Sequence, residues 1–138
     1  MEFRYIAPEV IHSEWDFVLQ GLQKILDKTG DRWKPEDIYW LIKQGSMWTY
    51  VVFDNNGERA GIVLLQPTVG WDGKELFLFG GWNATNADVI DFSLSEILKA
   101  ARSIGAKRLT TQSKRKGYER YAKRLGLTFS HAQYEREL

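Results

Sequence analysis

The chain has no cysteine, which excludes disulfides, thiolate metal sites and thiol catalysis. Its two histidines, His12 and His131, lie near opposite ends with no carboxylate or second ligand at diagnostic spacing. No zinc signature follows from them, and no His-based triad; no metal site is expected. No serine sits in a Gly-x-Ser-x-Gly elbow. Prolines number three, and low-complexity runs and internal repeats are absent, so nothing divides residues 1–138 and one domain is expected. No apolar run reaches the roughly 18 residues needed to span a bilayer. The opening MEFRYIAPEV has an acid at position 2 and no apolar segment, so no signal peptide is expected. The net charge of +1 gives no bulk attraction to nucleic acid. A cytoplasmic protein with no membrane partner is the expectation.

What the chain does have is a regular alternation of structural signals. Residues 3–11 read as a first strand interrupted by Pro8, which suits a strand end. Ser13-Glu14 reads as a helix start, and Trp15, Val18, Leu19, Leu22, Ile25 and Leu26 recur at helical spacing up to Gly30. Pro35, Glu36 and Asp37 open a second helix, with Ile38, Leu41 and Ile42 on its face. Trp48–Phe53 and Ala60–Gln66 flank Asn56-Gly57, a strong hairpin signal. A strand over Glu75–Gly81 runs into the polar link Trp82–Asp88. A helix from about Asn86 to Ser103 follows, capped near Gly105. A strand from Lys107, a short helix over Tyr118–Leu125 and a last strand over 128–136 complete the order β-α-α-β-β-β-α-β-α-β. The expected fold is a mixed α/β sheet of six or seven strands with helices on both faces.

Strand, turn and helix in this order is a common place to bind a phosphate-bearing cofactor, because the helix start offers free N–H groups and a positive dipole end. The turn here carries Asp88 and Asp91 and no run of glycines. Acids at a helix start also act as caps, each stabilising by roughly 0.3–1 kcal/mol. Eight of the nineteen basic residues fall within positions 107–124: Lys107, Arg108, Lys114, Arg115, Lys116, Arg120, Lys123 and Arg124. Tyr118 and Tyr121 are interleaved with them. That concentration fits a nucleic-acid contact, a grip on cofactor phosphates by Lys114, Arg115 and Lys116, or a solvated helix face. Six tryptophans are many for this length. Core packing accounts for several, while Trp33, Trp40 and Trp71 are candidates for an interface with a protein partner or a second copy, Trp71 because it sits in a turn.

The element order, the hairpin before the long helix and the ending Arg124-Leu125-Gly126-Leu127 resemble the GNAT (Gcn5-related N-acetyltransferase) superfamily. The sequence style is similar to small GNAT-like proteins of bacteriophages and prophages. The resemblance implies acetyl-CoA as the cofactor of an N-acetyltransferase, gripped by the link after the fourth strand. In typical members that link holds a basic residue or Gln and two glycines; Trp82–Asp91 has neither a basic residue nor a glycine. Typical members carry a proton-donating Tyr on the last helix where this chain has Ala122. Two missing features together predict a phage-type module that binds no cofactor and serves as a binding, virion or assembly component, in the host cytoplasm or the virion. The alternative is an N-acyltransferase with a non-standard pyrophosphate loop. Asn83, Ala84, Thr85, Asn86 and Ala87 (or Lys114, Arg115 and Lys116) would then hold the cofactor. Glu75, or a water held by Asp88, would be the base, and Tyr118 or Tyr121 the acid. Nucleic-acid binding through residues 107–124 is the third reading.

Overall fold

The computed structural model describes residues 1–113 and 118–138. Among them five strands form one sheet: β1 (Glu2–Ile6), β2 (Trp48–Phe53), β3 (Arg59–Gly70), β4 (Gly73–Asn83) and β5 (Arg108–Thr111). They lie side by side in chain order. The pairs β1–β2, β2–β3 and β3–β4 are antiparallel. The β4–β5 pair is parallel, as it must be when a helix carries the chain back across the sheet. The helices are α1 (Ile11–Thr29), α2 (Pro35–Lys43), α3 (Val89–Ser103) and α4 (Tyr118–Arg124).

The period of two in the strands sorts the core into two layers. Ile62 and Leu64 of β3, with Val51 and Phe53 of β2, pack beneath Ile11, Val18, Leu22 and Ile25 of α1 and Ile38 and Ile42 of α2. The alternate residues Val52, Val63, Leu65, Leu76 and Leu78 pack against Val89, Ile97 and Ala101 of α3. β3 is therefore buried on both faces over Ala60–Leu65, which explains its unbroken apolar run where a half-buried strand would alternate. Each fully buried Leu or Ile stabilises the fold by about 1.5–3 kcal/mol.

Turn chemistry fixes the connections. Asp54 Oδ1 accepts from the amides of Asn56 and Glu58 at 2.8 and 2.9 Å, and Gly57 takes φ +77°. Gly30 ends α1 at φ 64° in the left-handed region, where a Cβ is costly.

Three expectations need correction. The sheet has five described strands, so the count of six or seven is not met. The expected last strand is irregular instead: residues 128–138 are exposed and in no described strand. Its alternation offers only Phe129 and Tyr134 as large apolar groups, 80% and 91% exposed, and a strand with no buried face and no paired edge has little to hold it. α1 begins at Ile11, not Ser13, because Pro8–Val10 form a 3-10 turn that leads directly into it. Ser13 Oγ instead donates back to the Val10 carbonyl at 2.7 Å.

Gly61 shows how closely the layers approach. A Cβ there would stand 2.1 Å from the Trp82 carbonyl oxygen and 2.8 Å from Val89. The Trp82 backbone cannot yield without moving β4, so Gly61→Ala is expected to destabilise by about 3 kcal/mol or more. Gly57→Ala meets no atom within 4 Å and is strained only by its φ of +77°, so about 1–2 kcal/mol is expected. Urea unfolding of the two variants checks the order; equal losses would contradict this account of the β3–β4 contact.

Candidate functional site

The sheet shifts register twice, between β2 and β3 at Val52/Phe53 and between β3 and β4 at Leu64/Leu65; the second shift lies at the candidate site. Leu64 pairs with Gly80 and Leu65 with Leu78, so Phe79 is an extra residue, a bulge that bends the strand. On the other edge β4 pairs with β5 only from Glu75–Arg108 to Leu78–Thr111. β4 runs on to Asn83 with no described β5 partner beyond Leu78. The bulge and the end of the ladder thus coincide. The aromatic side chains there turn toward the α1–α2 layer. Phe79 meets the Trp33 ring at 5.3 Å and Trp82 the Phe17 ring at 5.2 Å. Gly80 and Gly81 lie between them in the strand.

α4 brings two tyrosines to this place. Thr111 Oγ1 donates to the Leu78 carbonyl at 3.0 Å, and the Tyr118 hydroxyl lies 3.4 Å from the same Thr111 oxygen. Tyr118 and Tyr121, one turn apart, have ring centroids 5.7 Å apart. Tyr121 donates its hydroxyl proton to Asp88 Oδ1 at 3.0 Å. Burial, then the Asp88 charge and this hydrogen bond, push the Tyr121 phenol well above the ordinary tyrosine range, so its proton is firmly held.

Asp88 is the N-cap of α3. Its Oδ1 also accepts from the Asp91 amide at 3.0 Å. Asn83 Oδ1 accepts from the Val89 amide at 3.0 Å, the Ala87 amide points to Thr85 Oγ1 at 3.3 Å, and the Ala84 amide donates to the Ala60 carbonyl at 2.8 Å. The link residues Asn83, Ala84, Thr85 and Ala87 are therefore engaged with the protein itself, while Asn86 is exposed. Arg124 approaches Asp91 at 3.7 Å and lies 5.7 Å from the Tyr121 ring centre.

Other candidate residues lie elsewhere. Glu75 sits at the opposite end of the β4–β5 ladder, three residues or about 10 Å of strand from Leu78, where it accepts from Arg108 at 3.1 Å. Arg108 also makes two hydrogen bonds to Asp72, at 2.8 and 2.7 Å. Its guanidinium holds the exposed Asp72 carboxyl down at about 2. Two members of the basic cluster, Arg108 and Arg124, thus face acids. Lys107, Arg120 and Lys123 are exposed. Lys114, Arg115 and Lys116 lie outside the described residues. Trp33 is half-buried against the bulge, with Nε1 donating to Asp31 at 3.3 Å. Trp40 is exposed, and Trp71, at the tip of the β3–β4 hairpin beside exposed Val69, is fully so. A separate groove of about 330 Å³ between α1 and α2 is lined by His12, Trp15, Asp16, Glu36 and Tyr39. Among the described residues no group of three or more His, Asp or Glu is placed to hold a metal ion, and no helix is long and apolar enough to cross a membrane.

Thr111 is the site residue that the sequence did not single out. Nothing separates it from Thr110 in KRLTTQS except register, and register is set by the pairing with β4.

No family model and no curated protein matches the chain. Solved structures do match along its whole length. A probable acetyltransferase is 14% identical, with 100% of this chain and 97% of that one covered and a TM-score of 0.74. The aminoglycoside N-acetyltransferase AAC(6')-Iy, solved in complex with CoA, is 9% identical with 99% of each chain covered and a TM-score of 0.71. A ribosomal-protein-alanine N-acetyltransferase from Brucella melitensis biovar Abortus 2308 is 10% identical over the full length of both, with a TM-score of 0.70. At such identities the likeness is one of fold alone: the chain shares the mixed α/β architecture of these acetyltransferases.

Proposed function

We propose that the protein is an N-acyltransferase that takes its acyl group from a coenzyme A thioester. The observation that carries this reading is the coincidence of the Phe79 bulge with the end of the β4–β5 ladder, beside a tyrosine hydroxyl. A strand edge that continues past its partner offers backbone N–H and C=O groups to an extended, amide-bearing arm. The edge from Phe79 to Asn83 fits such an arm, and Gly80 and Gly81 add no side chains there. The acetyltransferase of the same fold that was solved with CoA supports the choice of ligand.

The α3 N-terminus fits a diphosphate poorly. Its Val89 and Asp91 amides are already bonded to Asn83 and Asp88, and the Asp88 carboxylate repels an anion. Phosphate contacts would come from basic residues instead, for which Lys114, Arg115 and Lys116 are the candidates.

The thioester supplies an activated acyl carbon. Attack by an amine nitrogen forms the C–N bond and breaks the C–S bond; the nitrogen loses one proton and the sulfur gains one. Tyr118 is the proton donor proposed here, because its hydroxyl stands beside the last register pair of the β4–β5 ladder. Tyr121 holds its proton against Asp88. Glu75 is engaged by Arg108 at the far end of the ladder, so the base is assigned to a water. Exposed Trp71 remains the proposed anchor for a protein partner.

A second reading, a binding or virion-assembly module without acyl transfer, is favoured by the Asp88 cap itself. Calorimetry with acetyl-CoA separates the two: saturable binding below about 1 mM is expected for the enzyme, and no heat would leave the binding module.

Two variants extend the test. Tyr118→Phe is expected to lower kcat about a hundredfold with little change in KM for acetyl-CoA, the scale of a lost proton donor; unchanged turnover would remove Tyr118 from the chemistry. Asp88→Asn keeps an acceptor for the cap and deletes the charge, worth on the order of 1 kcal/mol against a nearby anion. Acetyl-CoA is expected to bind this variant about fivefold more tightly; weaker binding would show that the carboxylate does not oppose the ligand.

A further inference from the structure

The hydrogen-bond directions at the end of the β4–β5 ladder can be assigned from the donors alone. A threonine hydroxyl has one proton. In Thr111 that proton goes to the Leu78 carbonyl, at 3.0 Å. Toward Tyr118, 3.4 Å away, Thr111 therefore offers only a lone pair, and the phenol must be the donor. The order is Tyr118 hydroxyl to Thr111 hydroxyl to Leu78 carbonyl. Leu78 and Thr111 are also the last register pair of the ladder, so the threonine side chain bonds the backbone of its own cross-strand partner at the end of the described ladder.

We propose that Thr111 is a positioning residue of this site: its hydroxyl closes the β4–β5 ladder at Leu78 and holds the Tyr118 hydroxyl, proton toward Thr111, beside the last register pair. The role rests on the acyl-transfer reading only for its catalytic consequence. The geometry has a logic of its own. The 3.0 Å bond fixes Thr111, because its acceptor is strand backbone. The 3.4 Å contact is long for O–H···O, so it orients the phenol yet releases it readily to a stronger acceptor such as a departing thiolate. The far side of the tyrosine pair is fixed separately: Tyr121 packs against Tyr118 and is bonded to the Asp88 cap of α3. Tyr118 is thus held at its ring by one helix start and at its hydroxyl by one strand end. Thr110, one residue earlier, points to the opposite face of β5 and cannot substitute.

The test uses the full chain with an isotope label at the tyrosine Cζ, the Tyr118 signal being assigned by its loss in Tyr118→Phe. Thr111→Val keeps the shape and deletes the hydroxyl; Thr111→Ser restores it. The Tyr118 signal is expected to move in Thr111→Val and return in Thr111→Ser, with the Tyr121 signal fixed in both as the control for intact folding. In turnover with acetyl-CoA and an amine acceptor, Thr111→Val is expected to lose about tenfold in kcat, part of the full proton-donor effect. KM should stay within about twofold and Thr111→Ser should recover the rate. A Tyr118 signal identical in wild type and Thr111→Val overturns the proposal, as does a serine variant as slow as valine or a loss confined to KM. Absence of turnover in the wild type would remove the acyl-transfer reading alone, because the spectral comparison still decides whether Thr111 holds Tyr118.

Discussion

One additional residue in β4 governs the architecture of the site. Up to Leu78 the strand is locked between β3 and β5, with hydrogen bonds on both edges. Phe79 then inserts an extra position against Leu64 and Leu65, and the strand bends. Its antiparallel partner follows the bend, because β3 is buried on both faces and cannot leave. The parallel partner does not follow; β5 ends at Thr111. The same sheet is thus closed at one end by Arg108 and its two acids and ends its ladder at the other beside a tyrosine. A long hydrophobic strand that pairs with β3 to its end leaves its described pairing with β5 at Leu78, as a consequence of register.

The helix start at Asp88 has a similar double character. As a cap it satisfies the Asp91 amide and suits the positive end of the α3 dipole. As an acceptor it also draws the Tyr121 hydroxyl out of α4. A short helix of seven residues has little stability of its own, so α4 depends on such tethers: Tyr121 to Asp88, Tyr118 to Thr111 and the buried Leu125. The acids at the start of α3 are also the groups that dock α4 onto the rest of the molecule: Asp88 through Tyr121 and Asp91 through Arg124. The capping of α3 and the placement of Tyr121 thus share one carboxylate.

Much of this is legible in the amino-acid sequence. Asn56-Gly57, Gly30 and Pro35 marked turns, a helix end and a helix start by backbone chemistry that operates over a few residues. The helical spacing of Val18, Leu22 and Ile25 announced which face of α1 is buried. Asp88 was readable as a cap. The expected strand over 128–136 failed for the opposite reason: alternation among mostly polar residues states a face but supplies no partner to bury it. The separation of Glu75 from the tyrosines was equally hidden, since its distance from them depends on where β5 begins to pair.

The sequence by itself determined the elements from the first strand to the short helix α4, though not the strand expected after it, and the resemblance to an acetyltransferase architecture, because hydrophobic period, capping and turn residues act locally. Only the tertiary structure decided that Phe79 is a bulge, that Thr111 rather than Thr110 meets Leu78, and that Tyr121 reaches Asp88 across 33 positions of chain. These are matters of register and of which chain segments pack together, and register is a property of paired strands that no single segment contains.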